Sequence, residues 1–92
     1  MTGQVQVFPG LPNPSNGRTY NLQVGSFATP DSAALAALQI KNAGFYVSGE
    51  FSGGAYRVVV VNIPSAVVYL AVQRLASLGF SQIWVREQSP AR

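Results

Sequence analysis

The sequence contains no cysteine and no histidine, and only three of its 92 residues are acidic. These absences exclude disulfides, thiolate nucleophiles, imidazole bases and metal sites built from nitrogen or sulfur ligands. The chain also lacks any apolar run near the roughly 18 residues that a membrane-spanning helix requires. We therefore expect no metal, no cofactor and no membrane span in this segment.

Charge is scarce as well, because 10% of the residues are charged and 48% are hydrophobic. This composition is typical of one globular domain near the small end of the range that buries a core unaided. The net charge of +3 rests on six basic residues, which indicates a mild preference for anionic partners and no nucleic-acid stripe. The first residues have neither a basic nor an apolar region, so we expect no secretory signal.

What the chain does contain is an internal repeat. The run YNLQVGSF at residues 20–27 is echoed by YRVVVVNI at residues 56–63, and each is followed by a helix-like stretch that ends in Gly-Phe. Alternating hydrophobic residues in the runs are typical of half-buried strands. Two strand–helix–strand units are therefore expected within one small domain.

Four strands are predicted, at residues 20–27, 45–51, 55–63 and 81–87. Thr29 is expected to cap the first helix and Gly44 to end it, while the second helix runs from Pro64 to Gly79. The βαββαβ order with right-handed crossovers predicts a ferredoxin-like (RNP-like) α+β fold. Its sheet would be four-stranded and antiparallel in the order 4-1-3-2, with two helices on one face.

The flanking segments differ in composition from the predicted domain at residues 20–87. Residues 1–19 are interpreted as a linker or a partly ordered leader, in which residues 4–8 alternate like a short strand, and residues 88–92 as a polar tail. The second helix carries more apolar residues than one face can use. We predict that its second face is covered by a partner chain or by leader residues, namely Val5, Val7, Phe8 and Leu11.

Strand periodicity also predicts which side chains point away from the helices. These open-face residues are Asn21, Gln23, Tyr46, Ser48, Arg57, Val59, Trp84 and Arg86. Aromatic rings beside amides and guanidinium groups suit a sugar, whose C–H face stacks while its hydroxyl and acetamide groups need partners. The alternatives are that Trp84 belongs to the edge of the core and that both arginines are solvated strand charges.

The run YNLQVGSF, followed by the pattern A-x-x-A-A-x-x-I-x-x-x-G-F, resembles the first half of a SPOR domain over about residues 20–87. This family consists of bacterial cell-envelope modules, and the resemblance implies the same βαββαβ fold. It also implies binding to peptidoglycan glycan strands that have lost their stem peptides, as at division septa. The location implied is the periplasm or cell surface, within a larger exported protein.

In this family the Gln of the opening strand and the Ser after its Gly belong to the binding surface, which implies roles for Gln23 and Ser26. The second half departs from the family pattern Tyr-Arg-Val-Arg-Val-Gly-Pro-Phe, since Val59 replaces the second Arg and Val61 the Gly. The candidate glycan-binding residues are therefore Gln23, Ser26, Asn21, Arg57, Trp84, Arg86, Tyr46 and Val59.

Chemistry supports a preference for stripped strands. Removal of the stem peptide leaves a carboxylate on muramic acid, which Arg57 or Arg86 could bind through a charge-assisted contact. Catalysis is not expected, because Glu50 and Glu87 lie on opposite edge strands. Three strand spacings separate them by about 14 Å, beyond the roughly 5–10 Å that a catalytic carboxylate pair needs.

Two other functions use the same fold. A protein-interaction or dimerisation domain is one alternative, since Val59 and Val61 facing outward would suit a contact between chains. Single-stranded RNA binding is the other, but such modules place stacking aromatics at the centre of the sheet. The predicted central positions carry Asn21, Gln23 and Arg57 as well as Val59.

Overall fold

The computed structural model describes residues 5–87 of the chain, and the predicted tail at residues 88–92 lies outside this range. Its elements are β1 (Gln6–Phe8), β2 (Thr19–Phe27), α1 (Pro30–Asn42), β3 (Val47–Ser52), β4 (Ala55–Pro64), α2 (Val68–Ser77) and β5 (Gln82–Glu87). One turn of 3-10 helix, Ser65–Val67, leads into α2. Within residues 5–87, no helix is long and apolar enough to cross a membrane.

The sheet has five strands in the order β1-β5-β2-β4-β3. The prediction of a four-stranded antiparallel sheet is therefore wrong, because β1 pairs in parallel with β5 at the edge and makes the sheet mixed. The other neighbouring strands are antiparallel and have the neighbours predicted for them. The strand β1 lies within the alternating stretch at residues 4–8, but so short an alternation does not indicate which strand it pairs with.

The edge strand β1 is held from two directions. Val5 and Val7 pack against the hydrophobic core, and the Gln6 amide donates to the Ser81 carbonyl at 2.8 Å. The segment predicted to be a leader thus contributes both a strand and core contacts.

Helix α1 begins where the sequence predicts. The Thr29 Oγ1 accepts a hydrogen bond from the Ser32 amide at 3.2 Å, and Pro30 occupies the first helical position, where its missing N–H costs nothing. After the helix, Gly44 has a φ of 101°, a left-handed conformation that a residue with a Cβ adopts poorly. These local signals confirm the predicted start and stop.

Both helices pack on one face of the sheet. The buried core joins residues of β2, β4 and β5 to the inner sides of α1 and α2: Tyr20, Leu22, Val24, Ala36, Ile40, Val58, Val60, Ile63, Val68, Ala71, Val72, Leu75, Ile83 and Val85. Because both helices lie on this side, the opposite face of the sheet carries no helix within residues 5–87.

The second face of α2 stays largely open. Tyr69 and Leu70 remain 57% and 61% exposed, so the leader residues do not cover this face as predicted. Its coverage by a partner chain, the other alternative, stays a prediction. Leu11 borders a cleft beside them, whereas Val5 and Val7 pack on the core. Phe8 lies on the opposite face of the sheet, because the alternation of β1 that turns Val7 toward Ile83 turns its neighbour away.

Candidate functional site

The helix-free side of the sheet, the open face, carries one row of side chains that crosses all five strands. Phe8 is in register with Trp84, Trp84 with Gln23, Gln23 with Val59, and Val59 with Ser48. Aligned residues on neighbouring strands bring their side chains within contact range. The row therefore places aromatic rings at one side of the face and an amide at its centre.

A groove opens where β2 separates from β5. Pairing between β2 and β4 continues to Phe27 and Tyr56, whereas pairing between β2 and β5 ends at Gln23 and Trp84. The space beyond has a volume of about 410 Å³ and is lined by Gln23, Val24, Gly25, Ser26, Phe27, Gly79, Phe80, Ser81, Gln82 and Trp84. The fold thus brings the predicted residues Gln23, Ser26 and Trp84 to one groove.

A β-bulge in β2 shapes this groove. Gln23 pairs with Val59 and Gly25 with Val58, so Val24 is an extra residue in the ladder. A bulge bends its strand and re-aims the side chains that follow it. A Cβ at Gly25 would lie 2.8 Å from the Phe27 ring, so glycine allows that ring to lie against the backbone. The Phe27 ring can therefore keep its place in the groove wall only while residue 25 has no side chain.

Arg86 reaches across the open face from β5. Its Nη2 donates to Gln23 Oε1 at 2.9 Å and to Glu50 Oε1 at 3.1 Å, and its Nη1 donates to Glu50 Oε2 at 3.3 Å. The contact spans β2 and β4, since Glu50 lies on the far edge strand. Val59, on β4 between these partners, is only 1% exposed, so a ligand cannot contact this predicted site residue in the present arrangement.

Three other predicted site residues lie away from the groove. The Asn21 Oδ1 accepts from the Asn62 amide at 3.3 Å, beside the irregularity in β4. The Arg57 guanidinium turns toward the β3–β4 hairpin and donates to the carbonyl of Ser52 at 3.2 Å and to its hydroxyl. Tyr46 is 74% exposed next to the start of β3.

Phe8 is a residue of the open face that the sequence interpretation assigned to the helix side. Its ring stacks on that of Trp84 with centroids 4.9 Å apart and an angle of 28° between the planes. Trp84 is 51% exposed, which excludes the alternative that it belongs to the core. Strict alternation of Val5 and Val7 with Gln6 and Phe8 was the signal that could have identified this orientation.

The acidic side chains are dispersed. Glu50 is held by Arg86, and Glu87 forms an ion pair with Arg18. The hydrogen bond to Glu87, together with its charge, raises the pKa of Arg18, which changes nothing at working pH because arginine is charged throughout. Asp31 lies in the first turn of α1. Across residues 5–87, acidic side chains form no cluster that could hold a metal ion.

Comparisons with known proteins give one family and one structure. A family model for the SPOR domain matches residues 16–87, while no curated protein matches the chain. The chain is similar to the solution structure of the peptidoglycan-binding domain of the B. subtilis cell wall lytic enzyme CwlC, with 24% identity and a TM-score of 0.63. The match covers 86% of this chain and 100% of that chain. At this identity the similarity shows a shared fold.

Proposed function

The chain belongs to the SPOR domain family, and from this premise we propose that it is a non-catalytic module that binds peptidoglycan glycan strands. The observation that carries the proposal is the groove between β2 and β5, where Gln23, Ser26 and Trp84 line one space. Each of these three side chains is of a type that can bind a saccharide. An indole face stacks on sugar C–H groups, and amide and hydroxyl groups serve its polar substituents.

The backbone of the groove adds to its polar character. Pairing with β5 ends at Gln23, so residues 24–26 of β2 present one edge of their backbone toward the groove. Amide and carbonyl groups at such an edge need partners, and the acetamide groups of amino sugars supply both a donor and an acceptor. A glycan lying along this edge would satisfy them.

The finer part of the proposal is a preference for strands stripped of their stem peptides. Stripping leaves a lactyl carboxylate on each muramic acid, and Arg86 lies beside Gln23 at the border of the groove. A guanidinium group binds a carboxylate through strong, charge-assisted hydrogen bonds. A stem peptide would remove the carboxylate and add bulk, so attraction and steric rejection would act together.

For Arg86 to bind a ligand carboxylate, it must exchange its present partner, Glu50. Both side chains of this pair are about two-fifths exposed, at 40% and 42%. Exposed ion pairs contribute only about 0–1 kcal/mol, so the exchange costs little. A muramyl carboxylate can therefore replace Glu50 without a large change in the free energy of the protein.

The proposal includes the absence of catalysis. Of the three acidic residues in the sequence, Glu50 and Glu87 are each paired with a different arginine. The third, Asp31, lies at the start of α1, where a negative charge favours the helix dipole. None of them lines the groove, so no carboxylate is positioned to act on a bound sugar.

Binding of this kind would serve to target a larger protein. We propose that the domain directs an exported parent protein to the cell envelope, in the periplasm or at the cell surface. Stripped strands would concentrate it at the division septum. The chemistry of the groove requires no cofactor for this role.

Co-sedimentation with purified peptidoglycan, before and after amidase treatment, tests the proposal. We expect binding to rise on stripping and to fall about tenfold in Gln23→Ala, which corresponds to the loss of about one hydrogen bond. Gln73→Ala is the matched control, because Gln73 is an exposed glutamine on α2, away from the groove, whose amide donates to the Tyr69 hydroxyl at 3.1 Å. Absence of binding to either form of peptidoglycan would refute the proposed function.

The role of the carboxylate has its own test. Neutral chitin oligomers share the sugar backbone but lack the lactyl group, so we expect them to bind more weakly than stripped muramyl chains of equal length. Equal affinity for the two would refute the preference while leaving glycan binding in place.

The two alternative functions receive less support. A contact between chains was predicted from outward-facing Val59 and Val61. Val59 is buried and so is removed from the surface, while Val61 is half-buried. RNA binding would require stacking aromatics on the central strands, whereas Trp84 and Phe8 lie on β5 and on the edge strand β1, to one side of β2 and β4. A steep dependence of affinity on salt would favour RNA over glycan.

A further inference from the structure

The strand β1 lies outside residues 16–87, the part of the chain that the family model matches, yet it reaches the groove wall. We propose that β1 is part of the glycan site and that Phe8 is a positioning residue, which holds the Trp84 ring upright as the wall of the groove. This inference rests on the proposed function. It extends the functional unit beyond the domain start predicted at residue 20.

The position of Phe8 follows from the packing of β1. Val5 and Val7 are anchored in the core, and β1 is paired in parallel with β5, residue for residue. Because strand side chains alternate between faces, two anchored valines force Phe8 onto the open face. The register of β1 with β5 then places Phe8 directly beside Trp84.

The two sides of the Trp84 ring have different neighbours. Phe8 stacks on it from β1, with ring centroids 4.9 Å apart. Gln23, on β2, is in register with Trp84 on the other side, where both line the groove. A sugar would therefore stack on the groove side of the indole, with Phe8 behind it.

Without Phe8, the outer side of Trp84 would face solvent, because β1 is the edge of the sheet. A half-exposed indole without a stacking neighbour samples more rotamers, and ordering it on binding reduces affinity. Stacking on Phe8 selects the upright rotamer before a ligand arrives. The expected contribution is one of pre-organisation, with no direct contact between Phe8 and the sugar.

Trp84 is the sole tryptophan of the chain, so its fluorescence reports on this wall directly. The probe is a soluble stripped glycan prepared by amidase treatment of peptidoglycan. We expect Phe8→Ala to expose Trp84 to acrylamide quenching and to weaken binding about three- to tenfold, the range typical of one aromatic pair. Phe8→Tyr should retain both properties of the wild type.

Phe51→Ala is the matched control. Phe51 belongs to a comparable aromatic pair with Tyr56, at a centroid distance of 4.5 Å, but on the opposite edge strand of the sheet. We expect its removal to leave Trp84 quenching and glycan affinity unchanged.

A double-mutant cycle separates positioning from a general structural role. If Phe8 acts through Trp84, Phe8→Ala should weaken co-sedimentation in the wild type and have no further effect in Trp84→Ala. An equal loss in both backgrounds would overturn the inference. Phe8→Leu keeps an apolar side chain without a ring, so wild-type affinity in that variant would also overturn stacking as the cause, even if Phe8→Ala failed to fold.

The outcomes distinguish this inference from the function beneath it. Wild-type protein that binds stripped glycan, together with Phe8→Ala protein that binds it equally well, overturns the role of Phe8 alone. Wild-type protein that does not bind overturns both.

Discussion

The opening strands of the two repeat copies, β2 and β4, pair with each other around a centre at Gln23 and Val59. Tyr20 pairs with Ile63 at one end and Phe27 with Tyr56 at the other, so equivalent ends of the copies lie at opposite ends of one ladder. The end of the first copy borders the groove. The equivalent end of the second copy is closed, since the Val61 amide donates to the carbonyl of Tyr46 at 3.0 Å.

The connection that follows each helix accounts for part of this difference. In the first copy, two residues separate Phe45 from Ser48, the partner of the central Val59. In the second copy, three residues separate Phe80 from Trp84, the partner of the central Gln23. The extra residue makes the second connection longer. Within this connection, the Ser81 carbonyl accepts a hydrogen bond from the Gln6 amide of the edge strand β1. A groove thus arises from one added residue and a bulge, within an otherwise repeated plan.

Side chains complete the contrast. The central position carries an amide in the first copy and a buried valine in the second, while Gly25 and Ser26 correspond to Val61 and Asn62 by the repeat. The end of the first copy therefore has small residues beside the groove, whereas the corresponding end of the second copy has larger side chains. Substitutions that exchange these features should change glycan affinity and the free energy of unfolding independently of each other.

Gly25→Ala should have the largest effect, because it brings the first copy closer to the second. The new Cβ would lie 2.8 Å from the Phe27 ring, which must then move toward the groove. We expect a loss of about 1–3 kcal/mol in the free energy of unfolding, as for overpacking, and loss of glycan binding.

Urea denaturation and co-sedimentation measure the two effects of this substitution. Gly49→Ala is the control, since a Cβ there would meet nothing within 4 Å. If Gly25→Ala matched that control in both assays, Phe27 would not depend on the glycine.

Val59→Ala should affect stability and leave binding intact. The valine is 1% exposed, and truncation would leave a cavity that costs about 1–2 kcal/mol. The midpoint of thermal or urea unfolding checks this expectation. A loss of affinity without a loss of stability would mean that Val59 contacts the ligand after all.

Gln23→Val should weaken glycan binding and leave stability nearly unchanged. Valine suits a central strand better than glutamine, so we expect the free energy of unfolding to change by less than about 0.5 kcal/mol. Affinity for stripped glycan should fall about tenfold, since both the amide and its bond to Arg86 at 2.9 Å are lost. Calorimetric titration gives the affinity, and unchanged binding would count against the groove as the site.

Glu50→Gln should have the smallest effect, and in the opposite direction. The change removes the ion pair that holds Arg86, so stripped glycan should bind about two- to fivefold more tightly. This factor corresponds to the free energy of one exposed ion pair. Glu87→Gln is the control, because it weakens a different arginine pair. Weaker binding in Glu50→Gln would indicate that Glu50 contributes to the site.

Much of the fold could be predicted from local patterns. Alternating residues in the two repeat runs indicated β2 and β4, and the Thr29 cap and Gly44 marked the ends of α1 because such signals act over a few residues. The alternation at residues 4–8 also indicated a short strand, but its pairing with β5 could not be predicted in this way. Its stability comes from distant partners, with Val7 packed on the core and Gln6 bonded to Ser81.

For the candidate site, the sequence by itself determined which side chains face away from the helices, since strand alternation is a local property. Only the tertiary structure decided which of them meet. It opened a groove at Gln23, Ser26 and Trp84, and it buried Val59. Register, bulges and contacts that span several strands depend on the packing of the whole sheet, which no single stretch of sequence contains.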